Sequence, residues 1–144
     1  MGDEEQPAYT KAMPLYLPVD IDIELVASRS DLVGFTWTAS GICADFVIPD
    51  DPLHLLQVAF DKQCIVRLLD EMPLSTEEDS GTNEGLRAEH FAYKVEGANF
   101  ARSQSETWKL SSGAPLHWRF VTGCTCMDVL SSALPTFRRV VADR

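Results

Sequence analysis

Apolar and polar residues alternate with a period of two along much of this chain. That spacing turns one face of a strand toward a core and the other toward water. Val19, Ile21, Ile23 and Leu25 interleave with Asp20, Asp22 and Glu24, which predicts a half-buried strand with an acidic face. Val33, Phe35 and Trp37 interleave with Gly34, Thr36 and Thr38 as a second strand, and residues 42–48 form a third after Ser40-Gly41. Pro49-Asp50-Asp51-Pro52 then punctuates the chain. Residues 53–60 and 64–69 read as a fourth and fifth strand, paired as a hairpin across Asp61-Lys62-Gln63. Leu53, Leu56, Phe60, Cys64 and Leu68 are also spaced for a helix, but Val58, Phe60, Ile65 and Val66 favour strands.

Further along, Phe91, Tyr93 and Val95 alternate with Ala92, Lys94 and Glu96 as a sixth strand. Residues 98–110 suit a helix or an irregular strand. A seventh strand places Trp118 and Phe120 on one face and His117, Arg119 and Val121 on the other. Thr122-Gly123-Cys124 turns the chain, residues 126–130 form an eighth strand, and 137–141 close it as a short strand or helical turn beyond Pro135. The expected fold is mainly β, an antiparallel rolled sheet or sandwich with at most one or two helices. The alternative is an α+β fold with one helix packed on an antiparallel sheet. Residues 1–14 read as a flexible tail and 15–144 as one strand-rich domain. At this length about two thirds of the unfolded surface is buried, so a core forms without disulfide or metal staples. Residues 70–89 hold seven acids and one base among prolines, glycines and serines, and read as a mobile acidic loop.

Charge adds a functional constraint. The formal net charge is −10, made of −6 over residues 1–48, −7 over 49–89 and +3 over 90–144. An acidic body repels a phosphate backbone, so nucleic acid is not an expected partner. No apolar run reaches membrane-spanning length, and the acidic start lacks the apolar stretch of a secretory signal. A soluble cytoplasmic protein with free cysteines follows, Cys43 and Cys64 being read as buried in apolar strands.

Several groups are candidates for chemistry. Asp20, Asp22 and Glu24 could approach a hard cation or act as an acid/base pair, but carboxylates in a row along one strand diverge, and a solvated face is expected. The stretch 76–84 has calcium-loop composition without its register: Gly81 is in place, yet Thr76 opens the loop and Arg87 closes it. Cys124-Thr125-Cys126 could bind zinc if His117, His90, Cys43 or Cys64 completed the set, though core packing of the thiols is the expected outcome. His117, Cys124 and Asp128 could form a base, nucleophile and orienting acid across the 117–130 hairpin. No nucleophile-elbow, phosphate-loop, dinucleotide or zinc-protease motif occurs. His54 is expected to cap a turn or face solvent, His90 to be exposed, and Trp37, Trp108 and Trp118 to anchor the core. No cofactor is expected.

The cadence His117-Trp118-Arg119-Phe120, followed by residues 126–130, loosely resembles small bacterial immunity-type proteins with a closing hairpin. It spans a short stretch without a diagnostic motif, so it assigns no family. The resemblance implies an acidic inhibitor of a basic toxin, in keeping with the charge. The expected function is therefore a non-enzymatic protein-interaction module, immunity- or inhibitor-like, meeting a basic partner through Asp20, Asp22, Glu24, Glu77, Glu78 and Asp79. The alternatives are a small hydrolase or metal/ligand-binding domain using His117, Cys124, Cys126 and Asp128, and a structural homodimer joined at a sheet edge.

Overall fold

The computed structural model describes residues 14–78 and 83–142. Nine strands form two antiparallel sheets: β1 (Leu15–Pro18), β2 (Leu32–Thr38), β3 (Gly41–Val47), β4 (His54–Phe60), β5 (Cys64–Asp70), β6 (Ala92–Glu96), β7 (Leu116–Phe120), β8 (Thr125–Ser131) and β9 (Thr136–Val141). The first sheet runs β1-β6-β7-β8-β5 and the second β2-β3-β4-β9. The antiparallel, mainly β sandwich agrees with the period-two pattern.

The helices are short: a 3-10 turn at Ala27–Arg29, then α1 (Glu71–Ser75), α2 (Asn99–Arg102) and α3 (Glu106–Ser111). That is one α-helix more than expected. The ambiguous stretch 98–110 breaks because Ser105 caps a new start, its hydroxyl accepting from the Trp108 amide at 3.1 Å.

The core lies between the sheets and follows from alternation plus register. Pairing of β3 with β4 sets Ile42 opposite Phe60, Ala44 opposite Val58 and Phe46 opposite Leu56, all buried. Trp118 and Phe120 of β7 and Met127 and Val129 of β8 face them from the other sheet. The Phe46 ring meets Phe91 edge-on at 4.8 Å. Each such buried side chain contributes roughly 1.5–3 kcal/mol. The outer face of the first sheet is buried too: its Tyr16, Tyr93 and Val95 cluster with Ala98, and Leu74 of α1 and Phe100 of α2 are buried. Strands β6 to β8 are thus buried on both sides.

Four local expectations are corrected. Residues 19–25 are not a strand. The Val19 amide makes one last bond to Ala92 at 2.9 Å, then Asp20 to Leu25 make none and bend at Asp22 and Ile23. Ile21, Ile23 and Leu25 still pack on the core while Asp20, Asp22 and Glu24 are exposed; alternation reports one-sided burial, not ladder pairing. Strands β4 and β5 are not a hairpin, since β4 pairs with β3 and β9 while β5 pairs with β8. Asp61-Lys62-Gln63 instead carries the chain from one sheet to the other. In β2 an irregularity between Leu32 and Gly34 shifts the phase and leaves Val33 56% exposed, while Trp37, on the same face as Phe35 but near the end of this edge strand, is 60% exposed; Trp37 is no core anchor.

The stretch 70–89 is not simply a solvated loop either. It contains α1, which buries Leu74, and its far end lies along β1, where Glu84 accepts from the Tyr16 amide at 2.8 Å. The tail expected at 1–14 falls almost wholly outside the described residues, as does Asp79. Gly41 sits at φ +145° in the β2–β3 turn, where a Cβ would lie 2.1 Å from the Phe60 carbonyl oxygen. No helix among the described residues is long and apolar enough to cross a membrane.

Candidate functional site: a buried ionic cluster and two flanking recesses

Pairing across three strands sets Arg119 of β7 opposite Asp128 of β8, and Asp128 opposite Arg67 of β5. His117, two residues from Arg119, projects to the same outer face of the first sheet. Asp128, Arg119 and His117 are 0%, 1% and 3% exposed. The Asp128 carboxylate accepts from His117 Nε2 at 2.6 Å and Arg119 Nε at 2.7 Å through Oδ1. Its Oδ2 accepts from Arg67 Nε at 3.1 Å and Nη2 at 2.8 Å. The segment after α1 brings Glu77 onto Arg67, at 2.6 and 2.8 Å. Phe100 of α2 closes the cluster, 4.3 Å from the Arg67 guanidinium and 5.5 Å from the His117 ring. Two arginines thus balance two carboxylates.

The protonation states follow from this packing. Burial pushes the Asp128 carboxyl upward, but hydrogen bonding from His117 and the Arg119 charge outweigh it and hold it far below its ordinary value. Asp128 is therefore a carboxylate, which only accepts, so His117 carries its proton on Nε2. His117 Nδ1 is buried with no partner. A second proton would go there, without an acceptor, and burial holds the imidazole below its ordinary value despite Asp128. Glu77 is lowered by its hydrogen bond from Arg67, and that bond raises Arg67 in turn.

His117 and Asp128 are thus brought together, in the geometry of a base and its orienting acid, but Cys124 is not. His117 lies opposite Leu130, six residues from Cys124 along β8 and its turn, roughly 20 Å at strand rise. Cys124 is exposed while Cys126 is buried, its thiol donating to the Thr122 carbonyl at 3.5 Å and raised by burial. The C-x-C pair therefore splits, one thiol out and one in. Cys43 and Cys64 are half-buried and His90 bonds the Val19 carbonyl at 3.1 Å. Among the described residues no group of three such ligands converges. His54 pairs with Asp51 at 3.0 Å in the turn it was expected to cap.

Of the partner-facing candidates, Asp20, Asp22 and Glu24 are exposed. Glu77 is held by Arg67, and Glu78 accepts from the Asn99 amide at 2.9 Å, so neither is free for a partner in the way expected. Arg67, Arg119, Tyr16 and Phe100 were not singled out from sequence. The available signal was a charge inside each of three apolar strands, Arg67, Arg119 and Asp128, which burial obliges to find one another.

Two recesses bear on binding, one of which borders Arg119 while the other shares no residue with the cluster. A groove of about 190 Å³ runs between residues 19–25 and 90–92, lined by Ile21, Ile23 and Phe91 with Asp20 and Glu24. A smaller cavity of about 100 Å³ lies under α1, where Tyr16 and Arg119 meet Leu74, Leu86 and Val121.

Comparison with protein-family models, curated proteins and solved structures found no match.

Proposed function

We propose that this chain is a non-enzymatic protein-interaction domain, immunity- or inhibitor-like, whose partner presents lysine or arginine side chains. The groove between residues 19–25 and 90–92 carries this reading. Its mixed lining offers half-buried Ile21 and Ile23 to the aliphatic stem of a lysine or arginine, and Asp20 and Glu24 to the charged head. The backbone carbonyls of residues 20–25 make no internal hydrogen bond and supply further acceptors.

The wider charge distribution supports the same partner. Arg29, Arg67, Arg119, Arg139 and Lys109 are engaged with Asp50, Glu77, Asp128, Asp51 and Glu106. Asp20, Asp22, Glu24, Asp61, Asp70 and Glu96 have no ion pair among the described residues. The uncompensated charge faces solvent and steers a basic protein inward. A second copy is a poorer occupant, because a net charge of −10 repels its like. The hydrolase reading lacks support, since its base and acid are sealed and its thiol is remote.

Affinity capture from the source cells at about 50 mM and about 500 mM salt tests this, followed by binding measurements on the purified captured protein. The expected result is a basic protein retained at low salt, lost at high salt, and bound at least about tenfold more weakly by Asp20→Lys/Asp22→Lys/Glu24→Lys. Capture that the triple variant does not change, or only acidic and neutral captured proteins, would overturn it.

A further inference from the structure

Four strands end the two sheets: β1 and β5 in the first, β2 and β9 in the second. An edge strand leaves a row of backbone N–H and C=O groups unpaired, and charged side chains, prolines or a covering segment normally keep it from pairing further. Three of these edges are guarded in those ways. β1 ends in Pro18 and is met by Glu84, which bridges Leu15 and accepts from the Tyr16 amide. β5 carries Arg67 and Asp70, and β9 carries Arg138 and Arg139. β2, with the sequence LVGFTWT, has neither charge nor proline. Its irregularity ends at Gly34, and from Gly34, opposite Asp45, to Thr38, opposite Gly41, the register with β3 is unbroken.

Within that stretch Thr36, Trp37 and Thr38 are exposed. Trp37 has no hydrogen-bond or ring partner among the described residues. A large aromatic left in water beside an unpaired edge suits an interface. Alternation puts Phe35 and Trp37 on the face that bears Ala44 and Ile42, and Gly34, Thr36 and Thr38 on the other. The stretch is complementary to itself in one register. Residues directly opposite each other must share a face, so a two-fold axis passes through a residue position and not between two. An axis at Phe35 runs the pairing into the irregular end of β2, and one at Trp37 runs it into the turn at Ala39 and Ser40. An axis at Thr36 uses Gly34 to Thr38 entire. Phe35 of each copy then faces Trp37 of the other, and Thr36 faces Thr36; aromatic and threonine pairs are favourable cross-strand neighbours.

We propose that β2 pairs antiparallel with β2 of a second copy about a two-fold axis at Thr36, joining two four-stranded sheets into one of eight. The charge that keeps a second copy from the groove does not line this edge. It acts on the dimer only through the net −10 of each chain, and salt screens it. The dimer therefore tightens as salt rises, the reverse of the basic partner's behaviour, and it does not rest on the groove at 19–25.

Sedimentation velocity on the full chain from about 5 µM to about 500 µM, at about 50 mM and about 500 mM salt, tests it. The expected result is a reversible monomer–dimer equilibrium, with a dissociation constant at least about threefold lower at the higher salt. Thr36→Lys sets like charges opposite each other at the axis, and Trp37→Ala removes both aromatic pairs; each should weaken the dimer at least about tenfold. Thr136→Lys makes the same charge change at the start of β9 and should leave the dimer intact. All three positions are exposed, so each variant keeps its fold. A chain monomeric at about 500 µM in both salts would overturn the assignment. So would a dimer indifferent to Thr36→Lys and Trp37→Ala, one weakened equally by Thr136→Lys, or one that loosens as salt rises.

Discussion

Asp128→Asn removes the charge at the centre of the buried cluster while nearly preserving its volume. The native carboxylate accepts four hydrogen bonds, one from His117, one from Arg119 and two from Arg67. An asparagine offers one acceptor oxygen, and its NH₂ group turns donors toward donors whichever way the amide is set. With the native side chain 1% exposed, water cannot replace what is lost. Arg119, equally buried, keeps its neutral bond to the Tyr16 hydroxyl at 2.7 Å, and the one carboxylate left to it is Glu77 at 3.8 Å. Removing one partner of such a pair costs about 3–5 kcal/mol, a large share of the ~5–15 kcal/mol that holds a domain folded. Arg67 is 24% exposed and retains Glu77, so it adds little to that sum. Urea unfolding followed by tryptophan fluorescence should show the midpoint falling by about 2 M at an ordinary m-value. Glu77→Gln, at a quarter-exposed site, should cost only about 1 kcal/mol. Replacing the core of the cluster together, as Arg67→Met/Arg119→Met/Asp128→Leu, should recover most of the loss, because no charge is then left stranded. A loss below about 1 kcal/mol for Asp128→Asn, or one equal to that of Glu77→Gln, would refute the view that Asp128 neutralises a buried guanidinium.

The same cluster sets an acid response in two stages. His117 is held neutral with its folded value lowered, so the unfolded chain binds the extra proton and stability falls as pH drops below about 6.5; Asp128 and Glu77, also lowered, add a second loss from about pH 5 downward. Urea midpoints measured across that range should show His117→Gln flattening the first stage and leaving the second. Gly41→Ala drives a Cβ into the Phe60 carbonyl, whereas Gly113→Ala at φ +86° meets nothing nearer than 3.8 Å. The first should cost about 2–3 kcal/mol and the second about 1 kcal/mol, read as melting temperatures that fall more than twice as far for Gly41→Ala. Alkylation followed by mass spectrometry should modify exposed Cys124 rapidly in the folded chain and Cys126 only on unfolding. Equal rates would contradict the split of the C-x-C pair.

The layered sheets were legible in the alternation because each strand of β3, β4, β7 and β8 must turn one apolar face inward, and that requirement is local. The turn chemistry at Gly41 and Pro49 was legible for the same reason. What alternation cannot specify is the neighbour of a strand. Residues 19–25 carry a strand's pattern yet lie against the core without a ladder, and β4 and β5 adjoin in sequence but belong to different sheets. Nor does alternation say that a second layer covers the outer face of a sheet. That covering, by α1, α2 and the segment bearing Glu77, turned His117, Arg119 and Asp128 from an outward-facing row into a sealed ionic cluster. The cavity beside Arg119 exists for the same reason.

Composition and pattern by themselves determined a strand-rich chain with a surplus of negative charge, since both depend only on which residues are present and how they are spaced. Tertiary packing alone decided which of those charges are spent on one another and which remain for other molecules. A carboxylate's role is set by the cations and the solvent within a few ångströms of it, and Asp128 and Asp20 differ in nothing else.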